Sequence, residues 1–327
     1  MPGYKYCDVS HLETELAQPA PWKSASTPEA LAAATREASE LARAAFEQGS
    51  ARDAALVERI LYRMHAKSAF GAPIAPVPAT IWNALVTAKL RQLIPEPGEP
   101  ASELDLDSMT QELERRVHLA GTHAHPFLDD LSNDAGLRGY RVFLKNWYAM
   151  ASGLAEFLMA VAQRASPAMR GEIHENLSDE LFSGTPHIDL RARVLEGAGT
   201  RFDEHTAIDD PEICTETLGL INWRAAASLL PNPCYALGLF YSIEANWHYE
   251  SRRHLDALRK LRVPEDNLTS LALHVERDED HASHWLAMIR SAVHSPADRA
   301  CVVHGLTAEF VARKRMYDAM RRYVYGG

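Results

Sequence analysis

The sequence predicts an all-α protein, a helical bundle preceded by a helical N-terminal extension. Apolar residues recur at helical spacing through most of the 327 residues. Alternating strand patterns bounded by hairpin turns are nearly absent from the sequence. There is no internal repeat and no low-complexity tract. Together these observations favour a bundle of packed helices over a sheet-containing domain.

The first 120 residues are predicted to form the extension. Residues up to about 26 look irregular, and Thr27, Pro28 and Glu29 then supply an N-cap, a proline at the first helical position and an early acid. The stretch EPGEPASELDLD at 96–107 is rich in proline and acid and predicts a linker. We predict helices in this part at about 27–48, 52–67, 79–94 and 108–119.

Residues 121–327 are predicted to form the bundle, because the helical pattern becomes strong from Leu137 onward. The segment HAHPFLDDL precedes this pattern, and His123 and His125 in it indicate a loop or a helix start. We predict long helices at about 137–165, 168–183, 211–229, 233–262, 267–293 and 296–323.

Composition narrows the possible partners and the compartment. The formal net charge is −10, and no basic stripe with interleaved aromatic residues occurs, so we expect no nucleic-acid partner. The four cysteines are far apart, which argues against disulfides and a thiolate zinc site and predicts a cytoplasmic protein. We expect no secretory signal and no membrane span, because the sequence lacks both an N-terminal apolar region and a long apolar run.

The stretch HVERDEDH at 274–281 is rich in histidine, aspartate and glutamate, which are residue types that can bind a metal ion. Because an α-helix turns about 100° per residue, His274, Asp278 and His281 project from one face, which apolar residues such as Leu271 share. Glu276, Glu279 and Asp280 fall elsewhere and are predicted to be solvated. A surface charge cluster and a metal site both stay open from this helix alone, and imidazole with carboxylate favours iron, manganese or zinc.

Other predicted helices carry acids where apolar residues are expected. Glu244 is the only charge in CYALGLFYSIEANW, and Glu156 is the only charge in NWYAMASGLAEFLMAVA. Glu180 shares an apolar face with Ile173 and Leu177, whereas Glu175 and Asp179 are predicted to point away. Glycine and proline at 184–186 end that helix, so His187 approaches Glu180 if the chain folds back. Each residue alone is explained by an ordinary buried acid or a loop histidine.

Taken together, these positions resemble the heme-oxygenase-like diiron oxidases and oxygenases. The resemblance rests on Glu180, His187, Glu244 and the His-x3-Asp-x2-His group formed by His274, Asp278 and His281, within about residues 125–325. ENLSDELFSG is also similar to a segment of that family. The sequence contains neither a Glu-x-x-His motif of ferritin-like proteins nor an HExxH zinc motif.

The resemblance implies a heme-oxygenase-like bundle in which these six residues hold two iron ions. It implies O2 as co-substrate and an external electron donor, with Glu244 as the bridging carboxylate. Glu156 corresponds to the extra carboxylate of members that oxygenate amine nitrogens. His248 and Arg277 are candidates for contacts behind the ligands, although core packing and a surface ion pair explain them equally simply.

The resemblance therefore implies an N-oxygenase acting on a small amine or an amino-acid-derived metabolite in bacterial specialised metabolism. One alternative is a diiron oxidase that performs oxidative C–C cleavage or decarboxylation of a small acid. Alternatives of another class are a cofactor-free oxidase and a non-catalytic helical metal-binding protein, whereas heme degradation does not need three clustered carboxylates. We also expect a homodimer and a reductase partner.

Overall fold

The computed structural model of the protein describes residues 28–68, 76–93, 103–133, 136–182, 184–202, 209–230 and 232–326. Helices make up most of these ranges and no strand occurs within them, which confirms the predicted all-α class. Contacts divide the chain into two compact units, Met1–Leu93 and Ile94–Gly327. The domain boundary predicted at residues 120 and 121 stays a prediction, because contacts alone do not establish which part folds independently.

The first unit contains three described helices: α1 (Pro28–Phe46), α2 (Ala51–Ser68) and α3 (Pro76–Leu93). Helix α1 packs against both of the others. Their shared core is apolar, with Ile60, Leu61 and Leu85 fully buried. One ion pair, between Lys89 of α3 and Glu58 of α2, is also buried in this core. The predicted start at Thr27 lies outside the described residues, but Pro28 does begin α1.

The second unit is a bundle of ten described helices, and it contains every residue predicted for the metal site. Helix α11 runs through its centre and packs chiefly against α12 and α13. The helices are α4 (Leu106–Thr122), α5 (Pro126–Asn133), α6 (Gly136–Ala151), α7 (Leu154–Ala162), α8 (Pro167–Phe182), α9 (His187–Gly197), α10 (Thr215–Leu229), α11 (Cys234–Lys260), α12 (Thr269–Ala292) and α13 (Pro296–Tyr325).

Three parts of the bundle differ from the prediction. The single helix expected at about 137–165 is two helices, α6 and α7, separated at Ser152 and Gly153. Adjacent serine and glycine are a common cause of a helix break. Helices α5 and α9 were not predicted, because α5 has only eight residues and α9 follows directly after the glycine–proline break. His187 is therefore the buried first residue of a helix and not a loop residue.

Two glycines bring α11 and α13 into direct backbone contact. A Cβ atom on Gly238 would collide with the carbonyl oxygen of Val302, and one on Gly305 would collide with the carbonyl oxygen of Tyr235. The two contacts are reciprocal, so each helix presents a glycine to the backbone of the other. This close approach fixes α11, and with it Glu244, at the centre of the bundle.

A buried charge network links α6, α10 and α13. Arg224 of α10 donates to both carboxylate oxygens of Glu309 of α13, and it also donates to the carbonyl of Met150 at the end of α6. Arg313 donates to the same Glu309. All these side chains are buried, and none was singled out in the sequence.

No helix among the described residues is long and apolar enough to span a membrane.

Candidate metal centre

Three predicted ligands meet where α8, α9 and α12 come together. Glu180, His187 and His274 each offer a ligand atom, and these atoms all lie within 4.8 Å of one another. The chain folds back after α8, which brings the Nδ1 atom of His187 to 3.0 Å from Oε1 of Glu180. The imidazole rings of His187 and His274 have centroids 5.3 Å apart. One carboxylate and two imidazoles are a donor set that suits iron.

The hydrogen bonds of the two histidines fit metal binding. Nδ1 of His274 donates to the carbonyl oxygen of Ser270 at 2.6 Å, so the lone pair of its Nε2 points into the cluster. A metal-bound histidine commonly makes this second contact with a backbone carbonyl, which orients the ring. Nε2 of His187 is buried and has no hydrogen-bond partner, which is costly unless a ligand satisfies it. These residues therefore fit an iron ion.

Arg191 adds a cation to this cluster. It lies one helical turn after His187 on α9, and its side chain is buried. Its guanidinium donates to Oε2 of Glu180 at 3.3 Å and to Oε1 at 3.4 Å. It also donates to Nε2 of His274 at 3.2 Å. An arginine thus contacts two of the atoms that a metal ion would use.

The electrostatics keep Glu180 charged and His274 neutral. Burial alone would raise the pKa of Glu180, but Arg191, helped by His187, holds it well below the usual range. Burial, followed by the charge of Arg191, lowers the pKa of His274 to about 3. An ionised carboxylate and a neutral imidazole are the forms that bind a metal.

A second pair of predicted ligands lies beside the first group. Nδ1 of His281 is 3.5 Å from Oε2 of Glu244, and its Nε2 is 3.3 Å from Oδ2 of Asp179. Burial opposes protonation of His281, but these carboxylates raise its pKa. Asp179 also pairs with the half-exposed Arg277. The prediction that Asp179 points away is therefore wrong, because its carboxylate reaches His281.

The two groups adjoin because they share two helices. Helix α8 supplies Glu180 to the first and Asp179 to the second. Helix α12 supplies His274 to the first and, about two turns later, His281 to the second. The side chain of Asp278 lies outside the described residues. The assignment of all six residues as iron ligands stays a prediction.

Glu156 and His248 do not belong to either of these two groups of predicted ligands. Glu156 of α7 has a buried carboxylate oxygen without a hydrogen-bond partner. Within the described side chains it belongs to neither of two close groups of ligand atoms, the second being the largely exposed set Glu172, Glu175 and His284. His248 lines a cavity of about 300 Å³ between α4, α11 and α12, together with Tyr241, Ala245 and Ala282. Ala245 and Ala282 directly follow Glu244 and His281 in the chain.

Sequence reasoning missed Arg191 and the role of Asp179. Arg191 lies on the stripe formed by His187, Leu190 and Val194, which are all buried. That pattern is visible in the sequence only when residues 187–197 are recognised as a helix. Once they are, a lone arginine on a buried face indicates a functional position, because a buried charge needs a partner.

Comparisons with known proteins identify a family for this chain. A family model described as iron-containing redox enzyme matches residues 141–313, which is more than half of the chain. The match includes all six predicted ligands and Glu156. No curated protein matches the sequence.

Solved structures show the same fold at low sequence identity. A domain of unknown function with a heme oxygenase-like fold from Shewanella denitrificans is 17% identical, with a TM-score of 0.55 over 67% of this chain and 93% of that chain. A CADD-like protein of unknown function from Nostoc punctiforme is 18% identical, with a TM-score of 0.56 over 67% and 98%. A TenA homolog from Pseudomonas syringae is 14% identical, with a TM-score of 0.56 over 70% and 98%. The chain therefore has a heme oxygenase-like fold.

Proposed function

Because the chain belongs to the family of iron-containing redox enzymes, we propose that it is an O2-dependent oxygenase that uses two iron ions. Its proposed substrate is a small amine or an amino-acid-derived metabolite, which it oxidises at nitrogen. The observation that carries this proposal is the junction of two ligand groups. Glu180, His187 and His274 form one, and Glu244 and His281 form the other.

The proposed reaction converts an amine and O2 into a hydroxylamine and water. One oxygen atom forms the new N–O bond, and the other leaves as water after taking up two electrons and two protons. An external reductase or a small-molecule reductant must supply those electrons. The bound iron supplies the O2 chemistry, whereas the protein holds the ligands and excludes water. We also propose that the protein forms a homodimer.

The chain's own residues contribute charge and proton control at this site. The carboxylates of Glu180 and Glu244 would offset the positive charge of bound metal ions. His281 lies between Glu244 and Asp179, and these carboxylates raise its pKa, so a metal ion at His281 would compete with a proton. Burial of His187 and His274 excludes water from the imidazoles.

Anaerobic titration with Fe(II), followed by Mössbauer spectroscopy, tests the metal assignment. We expect about two irons per chain, as proposed, and a transient absorption band on rapid mixing with O2. The variants Glu180→Ala and His281→Ala should each bind less iron. Glu196→Ala is the matched control on α9, because Glu196 is exposed and lies outside every close group of ligand atoms named above. Wild-type iron binding by both ligand variants would refute the proposed site.

Oxidative C–C cleavage of a small acid is the second candidate. It is favoured by the position of Glu156, which does not join a close group of ligand atoms within the described side chains. Mass spectrometry of products formed with ¹⁸O2 separates the two reactions. An amine that gains one labelled oxygen atom supports N-oxygenation, whereas release of CO2 or a shortened carbon chain supports cleavage.

A further inference from the structure

Arg191 carries donor capacity that its present contacts do not use. Its side chain is only 5% exposed, yet its Nε–H has no hydrogen-bond partner. The two terminal nitrogens contact Glu180 and His274, as described above. A guanidinium has five N–H donors in a fixed plane, and this plane matches the two oxygens of a carboxylate.

Iron binding must change the contacts of Arg191. The single lone pair on Nε2 of His274 cannot serve a metal ion and the guanidinium at once, and a metal ion on the carboxylate of Glu180 weakens the attraction of that carboxylate for Arg191. Arg191 would then keep its positive charge in a buried place while the metal ion neutralises much of the charge of its anion. A buried charge that loses its partner is strongly unfavourable, and an arginine does not lose its proton.

We propose that Arg191 is the binding site for the carboxylate of the substrate. This inference rests on the proposed function, and it narrows the substrate class from amines in general to amino acids. Iron takes over Glu180, and the substrate carboxylate replaces Glu180 as the anion that Arg191 contacts. The amine of the same molecule is thereby held beside the iron ligands, because the guanidinium contacts His274, whose ring centroid is 5.3 Å from that of His187.

Acetate is the simplest probe for this site, because it carries a carboxylate without an amine. The protein is loaded with Fe(II) under argon, and its melting temperature is followed in increasing acetate, against chloride at equal ionic strength. We expect acetate to stabilise the iron-loaded protein and to have a much smaller effect before iron is added, when Glu180 still engages Arg191. Methylammonium chloride carries an amine without a carboxylate. It should not raise the melting temperature of the wild type more than that of a protein lacking Arg191.

Two variants and one control complete the test. Arg191→Gln should weaken the apparent affinity for acetate about tenfold or more, as expected for loss of a charge-assisted hydrogen bond. Arg191→Lys retains the charge, so it keeps the test valid if the glutamine variant does not fold. It should bind acetate more weakly than the wild type because lysine cannot form the bidentate contact. Arg193→Gln, an exposed position on the same helix, should behave as wild type.

The outcomes separate this inference from the function on which it rests. Acetate binding that is absent, or equal in wild type and both Arg191 variants, overturns the carboxylate site even when two irons bind. Failure to bind iron refutes the proposed function, and the carboxylate site falls with it. Iron-dependent acetate binding that requires Arg191 supports the inference.

Discussion

At the scale of single residues, the partners of each side chain decide its chemistry. His274 and His254 are both buried histidines on core helices. His274 donates to a backbone carbonyl and turns its other nitrogen toward Glu180, His187 and Arg191. His254 instead packs its ring on Phe143, with ring centroids 4.2 Å apart, and lies near the hydroxyl of Tyr140. The same residue type is thus a candidate ligand in one place and a packing residue in the other.

Arg191→Gln should bind Fe(II) more tightly than the wild type. The substitution removes a cation that competes for Glu180 and His274, so metal binding no longer has to break those contacts. We expect the dissociation constant to fall by about tenfold, which corresponds to about 1.4 kcal/mol. Anaerobic titration against a chelator of known affinity measures it, with Arg193→Gln as the control. Weaker iron binding by the glutamine variant would contradict competition.

His254→Phe should flatten the dependence of stability on acid pH. Burial, with a smaller effect of Arg253, lowers the pKa of His254 to about 3 from an ordinary 6.5. Between these values the unfolded chain binds a proton that the folded protein does not, so stability falls as the pH falls through this window. Removing the group should reduce that slope by about 1.4 kcal/mol per pH unit.

Urea unfolding at a series of pH values measures the slope. Phenylalanine keeps a ring of similar size against Phe143, so packing changes little. His274 titrates in the same direction in the protein without added iron, and it therefore remains as a background in both proteins. An unchanged slope in the variant would show that His254 is not the buried neutral base described here.

At the scale of elements, helix contacts place the ligands. Helix α11 carries Glu244 and is held against α13 by the reciprocal approach at Gly238 and Gly305. Helix α9 places His187 and Arg191 one turn apart, both turned toward α8 and α12. A helix face is readable from apolar spacing, but the partner against which it packs is not.

Gly238→Ala should destabilise the protein by about 1–3 kcal/mol, in the range of an overpacked core. The added Cβ would collide with the carbonyl oxygen of Val302, so α11 and α13 must separate. Gly171→Ala is the matched control, because this glycine lies in α8 with open space around its Cβ position. The control should be neutral or more stable, since alanine favours a helix. Equal melting temperatures of all three proteins would contradict the close crossing.

At the scale of the whole molecule, a second buried polar system stabilises the bundle away from the candidate metal centre. Arg224 and Arg313 oppose Glu309 and Glu250, so two cations face two anions. Tyr317 donates to Glu250 at 2.6 Å, and burial followed by Glu250 raises the tyrosine pKa well above its usual value. These groups link α6, α10, α11 and α13 into one network.

Glu309→Gln should cost about 3–5 kcal/mol of stability, because it leaves Arg224 and Arg313 buried with one carboxylate fewer. Chemical unfolding measures the loss. Glu265→Gln is the control, since its pair with Arg259 is exposed and should matter little. Replacing Arg224 and Glu309 together with apolar residues of similar size should restore part of the stability. A Glu309→Gln protein as stable as the wild type would contradict the network.

The sequence by itself determined the helical class, most helix positions and the donor residues of the candidate centre. Helical spacing predicted that His274, Asp278 and His281 share an inward face and that Glu180 lies on an apolar face, and the lone charge of an apolar helix drew attention to Glu244. These inferences depend on local periodicity and on the cost of burying a charge. The grouping of six positions as one metal site came from resemblance to a family.

Only the tertiary structure decided which of these residues meet. In the folded protein, residues 187–197 form a helix, Arg191 contacts both Glu180 and His274, and Asp179 lies beside His281. Arg224 also pairs with Glu309, which is 85 residues away in the chain. The physical reason is that a charged side chain in a buried position is stable only beside its partner. That partner comes from another helix, and no local pattern in the sequence specifies which one.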